Sequence, residues 1–434
     1  MVEAGAEKPI ALLARPFVRR MLITALLAEI GYAVLNIVTM PQYLQFDRNF
    51  SAFGVSLVLV AFLLSEAVMK GPMGHLADRV GHKRLMLIGP LITLGTSAAS
   101  LVMPRFDPSI GEPIEVLLFA LLRIGDGVGA AMLWPAAFAL MGDAVKDHER
   151  QQAMSLLNMC YLLGIALALP VGGIVKDTTA ALLAPTIGAK AGGLILAAVL
   201  FLAVALTVLR LPIDRARTEH PHEGEGFDFK AFLQTARQIP AYLALAAITF
   251  CGIGFPMAII TIFASEELKL SDTQFGALVM PAALAMALFS VPMAKFGERV
   301  GRAKAVHLGL SWCAGGLIFI CLGAFFPAFR MTWALALGSL PVGIGFLLTI
   351  PAWLASVSDL DPKKRAANVG AVMTAQGLGA IVGAPIGGWA YQGLVPLGRN
   401  MGLGDSFGHY SPFIGTAVCV TAGWLVSLKI LRDP

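Results

Sequence analysis

Charge is what this chain has least of. Only 14% of its 434 residues are Asp, Glu, Lys or Arg, against about 25% in a typical soluble domain. With 57% hydrophobic residues and a mean hydropathy of +0.77, that scarcity argues against a water-soluble fold and places the chain in a bilayer. Cysteine is also rare. The five, Cys160, Cys251, Cys313, Cys321 and Cys419, all fall in apolar stretches and none has a CxxC spacing, so they read as small packing residues rather than disulfides or metal ligands. There is no GxxxxGK[ST] phosphate loop, so ATP is not the evident energy source. No HExxH spacing or paired nucleophile and base points to an enzyme, a metal or a cofactor.

What the chain has in abundance is long apolar runs. A hydrocarbon core about 30 Å thick needs about 20 apolar residues per helix, whereas barrel strands alternate over about 10. The runs therefore predict helices. Twelve are centred near residues 32, 63, 94, 128, 164, 200, 252, 284, 315, 343, 379 and 421. Six precede and six follow the one long polar interval, which contains RARTEHPHEGEGFDF. The expected organisation is a bundle over residues 1–210, a cytoplasmic linker over 211–240 and a second bundle over 241–434. Within the linker, KAFLQTARQ is compatible with either an amphipathic surface helix or a solvated loop.

Of the 32 Lys and Arg residues, 23 fall on one side of this topology, 7 on the other and 2 inside spans. That bias predicts both termini in the cytoplasm. The net charge of +5 is then a topology signal and does not call for a nucleic-acid partner.

The chain repeats itself. DRVGHKR at Asp78–Arg84 returns as ERVGRAK at Glu298–Lys304. A longer stretch ending at Gly173 returns in one ending at Gly388, pairing Pro135 with Pro351, Asp143 with Asp359, Arg150 with Arg365, Gly164 with Gly379, Pro170 with Pro385, and Gly172 and Gly173 with Gly387 and Gly388. Shared spacing over so much chain predicts a duplicated six-helix unit.

Two six-helix repeats with this polar turn after the second span resemble the major facilitator superfamily of secondary transporters, over essentially the whole chain. Gly74, Asp78, Arg79, Gly81, Lys83 and Arg84 match the family's loop signature. His82 departs from it, standing where an arginine commonly follows the glycine. The resemblance implies an all-α integral membrane fold of twelve transmembrane helices in two pseudo-symmetric bundles. It also implies an inner latch linking this loop to Asp143 at the end of the fourth helix. LLRIGDGVGAA resembles the fourth-helix motif of proton-coupled members through Arg123 and Gly127, with Asp126 as a departure. GIALALPVGG resembles the fifth-helix motif of drug:proton antiporters through Gly164, Gly172 and Gly173, but Pro170 arrives one place late. Small residues there would also serve simple helix packing.

Five ionisable residues are expected inside spans, all in the first half: Glu29, Glu66, Lys70, Arg123 and Asp126. A charge at such a depth costs at least about 2.5 kcal/mol, so these are the candidates for proton coupling. Glu66 with Lys70 and Arg123 with Asp126 have spacings that also suit plain ion pairs. Glu29 has no partner on its own helix, and a lone carboxyl is easiest to bury as the neutral acid. It reads either as a proton carrier or as a substrate ligand. The second half offers Phe250, Met257, Phe346, Trp353 and Gln376. With Glu29, Tyr32 and Asn36, these are the candidate substrate contacts.

The expected activity is proton-coupled export of amphipathic neutral or cationic compounds by alternating access, from a monomer in a bacterial cytoplasmic membrane. A lipid or lysolipid translocator of the same fold is the alternative. An importer of a small polar metabolite would call for more polar groups in the second half, and the duplication argues against a non-transporting sensor.

Overall fold

The computed structural model describes residues 12–106, 111–211, 237–360 and 365–431. The polar interval read as a linker, including KAFLQTARQ, lies almost entirely outside them. Among the described residues there are twelve helices of 18 residues or more. We number them α1 (Pro16–Asp47, partly π-helical), α2 (Ala52–Val80), α3 (His82–Leu101), α4 (Gly111–Asp143), α5 (Asp147–Leu183) and α6 (Gly192–Leu209), followed by α7 (Pro240–Met257), α8 (Asp272–Val300), α9 (Arg302–Cys321), α10 (Thr332–Asp359), α11 (Arg365–Gly393) and α12 (Ser406–Ile430). Eleven are both long and apolar enough to cross a membrane. The other, α8, has 29 residues, about 43 Å of helix at 1.5 Å per residue. Each predicted span centre falls inside one of the twelve.

The repeat is visible in how the helices start, stop and pack. Helix α2 begins at Ser51, whose hydroxyl accepts from the Gly54 N–H at 3.1 Å, and α8 begins at Ser271, whose hydroxyl accepts from the Gln274 N–H at 3.2 Å. Each cap satisfies a backbone donor that the first helical turn leaves open. Both helices run 29 residues and end at a glycine with positive φ, Gly81 at 105° and Gly301 at 102°. A residue with a Cβ is strained there, which is why the repeated polar turn keeps its glycine.

In the first half α2 packs on α4, α3 on α4 and α6, and α1 on α5 and α6. In the second half α8 packs on α10, α9 on α10 and α12, and α7 on α11 and α12. The two sets meet along α5 with α8 and along α2 with α11.

The paired glycines occupy matching positions in this plan. A Cβ on Gly164 would lie 2.6 Å from Glu29 Cβ of α1, and one on Gly379 would lie 2.4 Å from the Ala247 carbonyl of α7. Gly173 is pressed against the Asp272 backbone of α8, and Gly388 against Ala52 and Ser56 of α2. Both of these seam contacts lie toward one end of the molecule. On the other stretches of the same seams, Gly71 of α2 and Gly370 and Gly377 of α11 face open space, and Val68, Lys70, Met159, Leu288 and Met373 are exposed. The two sets of six are thus sealed at one end and parted at the other.

Candidate functional site

Inside the first set, the ionisable residues form two groups along the helix axes. Nearer the open end are Glu29 of α1 and Glu66 and Lys70 of α2. Glu29 is buried at 5% exposure and has no hydrogen-bonding or ion-pairing partner among the described residues. Room for its side chain beside α5 exists because position 164 has no Cβ. Glu66 and Lys70 form the i,i+4 pair at 2.9 Å, with Lys70 about half exposed. Glu66 and Glu29 are close enough to interact electrostatically.

Nearer the sealed end, Arg123 and Asp126 of α4 are ion-paired with side chains 1% and 0% exposed. The Thr96 hydroxyl of α3 donates to Asp126. Nε and Nη1 of Arg123 have no hydrogen-bond partner among the described residues. Arg123 lines a cavity of about 10 Å³ together with Asn36, whose Oδ1 is equally unpartnered. A buried guanidinium with idle donors is costly, so the pair is held by its surroundings rather than by complete hydrogen bonding.

Tyr32 joins the two groups. Its ring packs against Phe62 and edge-on to Phe201, at centroid distances of 6.4 and 4.7 Å. Its hydroxyl lies 3.4 Å from the Thr93 hydroxyl of α3, one helical turn before Thr96, the donor to Asp126. The Asn36 amide donates to the Tyr32 carbonyl at 3.0 Å. Tyr32 and Asn36, singled out in the sequence as substrate contacts, are therefore buried within the first bundle in this conformation. Trp353 is fully buried as well, while Phe250, Met257, Phe346 and Gln376 are half-buried.

The polar turn after α2 lies at the open end. Asp78, with its side chain 68% exposed, pairs with His82 at 3.2 Å, and Arg79, Arg84 and Asp143 are exposed. Lys83 turns to α6 instead, donating to the Leu209 carbonyl at 3.1 Å and to that of Leu211. An ammonium at the carbonyl end of a helix is favourably placed. At Gly74 α2 lies near Pro135 of α4, at 3.9 Å from a hypothetical Cβ, so a side chain there would make an ordinary contact. Gly172 gives the valines of α1, Val34 and Val38, their contact with α5, and Pro170 abuts Gly276 of α8.

Sequence reasoning passed over several residues. Thr93 and Thr96 carry no signal of their own in an apolar run. Lys176, counted in the sequence among residues outside the spans, is in fact 1% exposed within the packed length of α5. One signal was available: it follows Gly173 by three residues on the same helical face. Asp272 is buried at 6%. The Ser271-to-Gln274 capping box marks it as the first residue of α8.

Comparison with known proteins fits this architecture. The chain is 23% identical over 388 residues to the inner membrane transport protein YajR of Escherichia coli, covering 88% of this chain and 75% of that protein. It is 22% identical to multidrug resistance protein 2 of Bacillus subtilis, covering 82% and 84%. Its fold superposes with a TM-score of 0.73, at 16% identity and covering 97% and 100%, on a bacterial homologue of the human lysosomal transporter Spinster in an inward-facing, unoccupied conformation. The sequence family described as the Major Facilitator Superfamily matches residues 21–265 and again 242–434. One family answering to each half in turn is what a duplicated transporter should give, and the chain belongs to the Major Facilitator Superfamily.

Proposed function

We propose that this transporter exports amphipathic neutral or cationic compounds in exchange for protons. The observation that carries the reading is Glu29: a buried carboxyl with no partner, next to Glu66, in a half-molecule that holds all the ionisable residues named above as coupling candidates. A carboxyl that is neutral when buried and charged when wetted couples its proton to whichever side has access. The idle donors of Arg123 support the same reading, because they are available to an acid that approaches in another conformation. The open-ended cleft gives the second half's Phe250, Met257, Phe346 and Gln376 to the solute. The drug-resistance relative fits such a substrate class.

On this reading the bundles over residues 1–210 and 241–434 rock about the cleft as units, joined by the 211–240 linker. The chain works as a monomer in a bacterial cytoplasmic membrane with both termini inside, so the open end faces the cytoplasm. The Asp78 loop lies at that open end, where a latch would act when the end shuts.

The test is uptake of a fluorescent lipophilic cation into inside-out vesicles under an imposed pH gradient. Gradient-driven uptake by the native protein, reduced by tenfold or more in Glu29→Gln, supports the proposal. Failure of the native protein to move the cation rejects drug export, and moves the lipid-translocator reading to a labelled-lysolipid assay in the same vesicles. A Glu29→Gln variant that matches the native protein rejects Glu29 as the proton carrier.

A further inference from the structure

The sealed end is closed by two seams of different chemistry. Where α2 meets α11, the contacts are neutral. Gly388 lies against Ala52 and Ser56, and the Gln392 side-chain oxygen accepts from the Ala52 N–H at 2.9 Å. Where α5 meets α8, the contacts are ionic. One carboxylate of the second set, Asp272, receives Lys176 at 3.2 Å and Lys190 at 2.7 Å, both from the first set.

Lys176 is committed on three sides. Besides Asp272, its ammonium donates to the Val38 carbonyl at 2.6 Å and to Gln42 Oε1 at 2.8 Å. The same Gln42 donates across to the Thr261 carbonyl at 3.1 Å. Asp177, the next residue after Lys176, accepts from the Thr273 N–H at 2.8 Å. Asp47 accepts from the Lys190 N–H at 2.7 Å, holding that lysine's backbone in place.

We infer that Lys176, Lys190 and Asp272 form the lock that holds the sealed end shut. Separating α5 from α8 takes Asp272 away from both lysines at once, whereas the α2–α11 seam parts without separating any charges. Lys176 keeps its two acceptors on α1 when this happens, so the first set is not left with a bare charge. The carboxylate of Asp272 is the group whose partners all sit on the other side. Removal of one partner of a buried ion pair is strongly destabilising for the state that buries it, while the same charge in water costs little. The lock therefore acts on the balance between conformations and does not depend on which solute is carried.

The experiment places nitroxide labels at Ala184→Cys and Ala277→Cys, exposed positions on either side of this seam. The full chain is used, in lipid nanodiscs, with the five native cysteines replaced, and pulsed electron spin resonance gives the distance distribution. The parent shows chiefly the short distance. In Asp272→Asn the ratio of long to short distance rises roughly a hundredfold. Lys176→Met follows it, and Lys190→Ala, which removes the partly exposed partner, gives a smaller rise in the same direction.

The control is Ser271→Ala, which loosens the start of α8 but leaves the three charges, and it keeps the parent distribution. Unchanged distributions in folded Asp272→Asn and Lys176→Met overturn the lock, as does a Ser271→Ala variant that opens as far as Asp272→Asn. Should Asp272→Asn fail to fold, Lys190→Ala decides alone: a parent-like distribution there rejects the proposal.

Discussion

The two halves share a skeleton and divide the chemistry. Helices α1–α6 and α7–α12 repeat the same packing plan, and their second helices have matching caps, lengths and terminal glycines. Yet the buried Arg123–Asp126 pair and the lone Glu29 belong to the first half alone. The second half fills the matching region of α10 with uncharged residues. Where Arg123 and Asp126 sit on α4, twelve and nine residues before Pro135, α10 has Ser339 and Val342, twelve and nine residues before Pro351. Symmetry of backbone is enough for two bodies to move against each other. On the proposed function, the first half's Glu29 and Arg123–Asp126 give that motion something to couple to, while the second half's buried Asp272 serves the seam.

The largest effect expected from breaking this comparison is at Arg123–Asp126. Asp126→Ala leaves a buried guanidinium without its counter-charge and should destabilise the protein by about 3–5 kcal/mol. Replacing both partners by Met and Leu makes α4 resemble α10 and should recover most of that loss. Thermal unfolding in detergent measures both. A double variant no more stable than the single one would mean that the pair is indispensable to packing.

The paired glycines sharpen the comparison. Gly164→Ala meets Glu29 Cβ and the Ile30 backbone N, and Gly379→Ala meets the Ala247 carbonyl and the Cys251 backbone N, all fixed by the backbone. Overpacking costs about 1–3 kcal/mol, toward the upper end in both. Gly164→Ala alone should disturb gradient-driven uptake, because it displaces Glu29. Undiminished uptake in the Gly164 variant, or lost uptake in the Gly379 variant only, would go against this.

The smallest effect tests the symmetry itself. Ser51→Ala and Ser271→Ala each remove an N-cap and should each cost about 1 kcal/mol. Denaturant midpoints that differ widely would show that the two caps are not equivalent.

Much of the fold was legible because hydrophobic run length and the repeated polar turn are properties of the chain itself. The twelve span centres and the pairing of Gly164 with Gly379 needed no third dimension. The site was only half legible. Glu29, Arg123 and Asp126 stand out as charges in apolar runs, and the Glu66–Lys70 pair follows from helical spacing. What Tyr32 faces depends on rotation about the helix axis, and one residue turns a helix by about 100°. The same limit hid Thr93 and Thr96, whose importance lies in a neighbour on another helix. Lys176 was misplaced for a different reason: α5 has 37 residues, more than a bilayer requires, so its packed length extends past the end of its apolar run.

Helix α1 contains two π-helical stretches, Val34–Thr39 and Tyr43–Asp47. In the first, the Met40 N–H reaches back five residues to the Leu35 carbonyl, so that turn holds one residue more than an α-helix would. Returning the turn to α-helical form would advance everything beyond it by one residue, about 100° of screw rotation. The Gln42 side chain would swing with it. The helix that carries Glu29 thus holds an extra residue of turn between that carboxyl and the far seam.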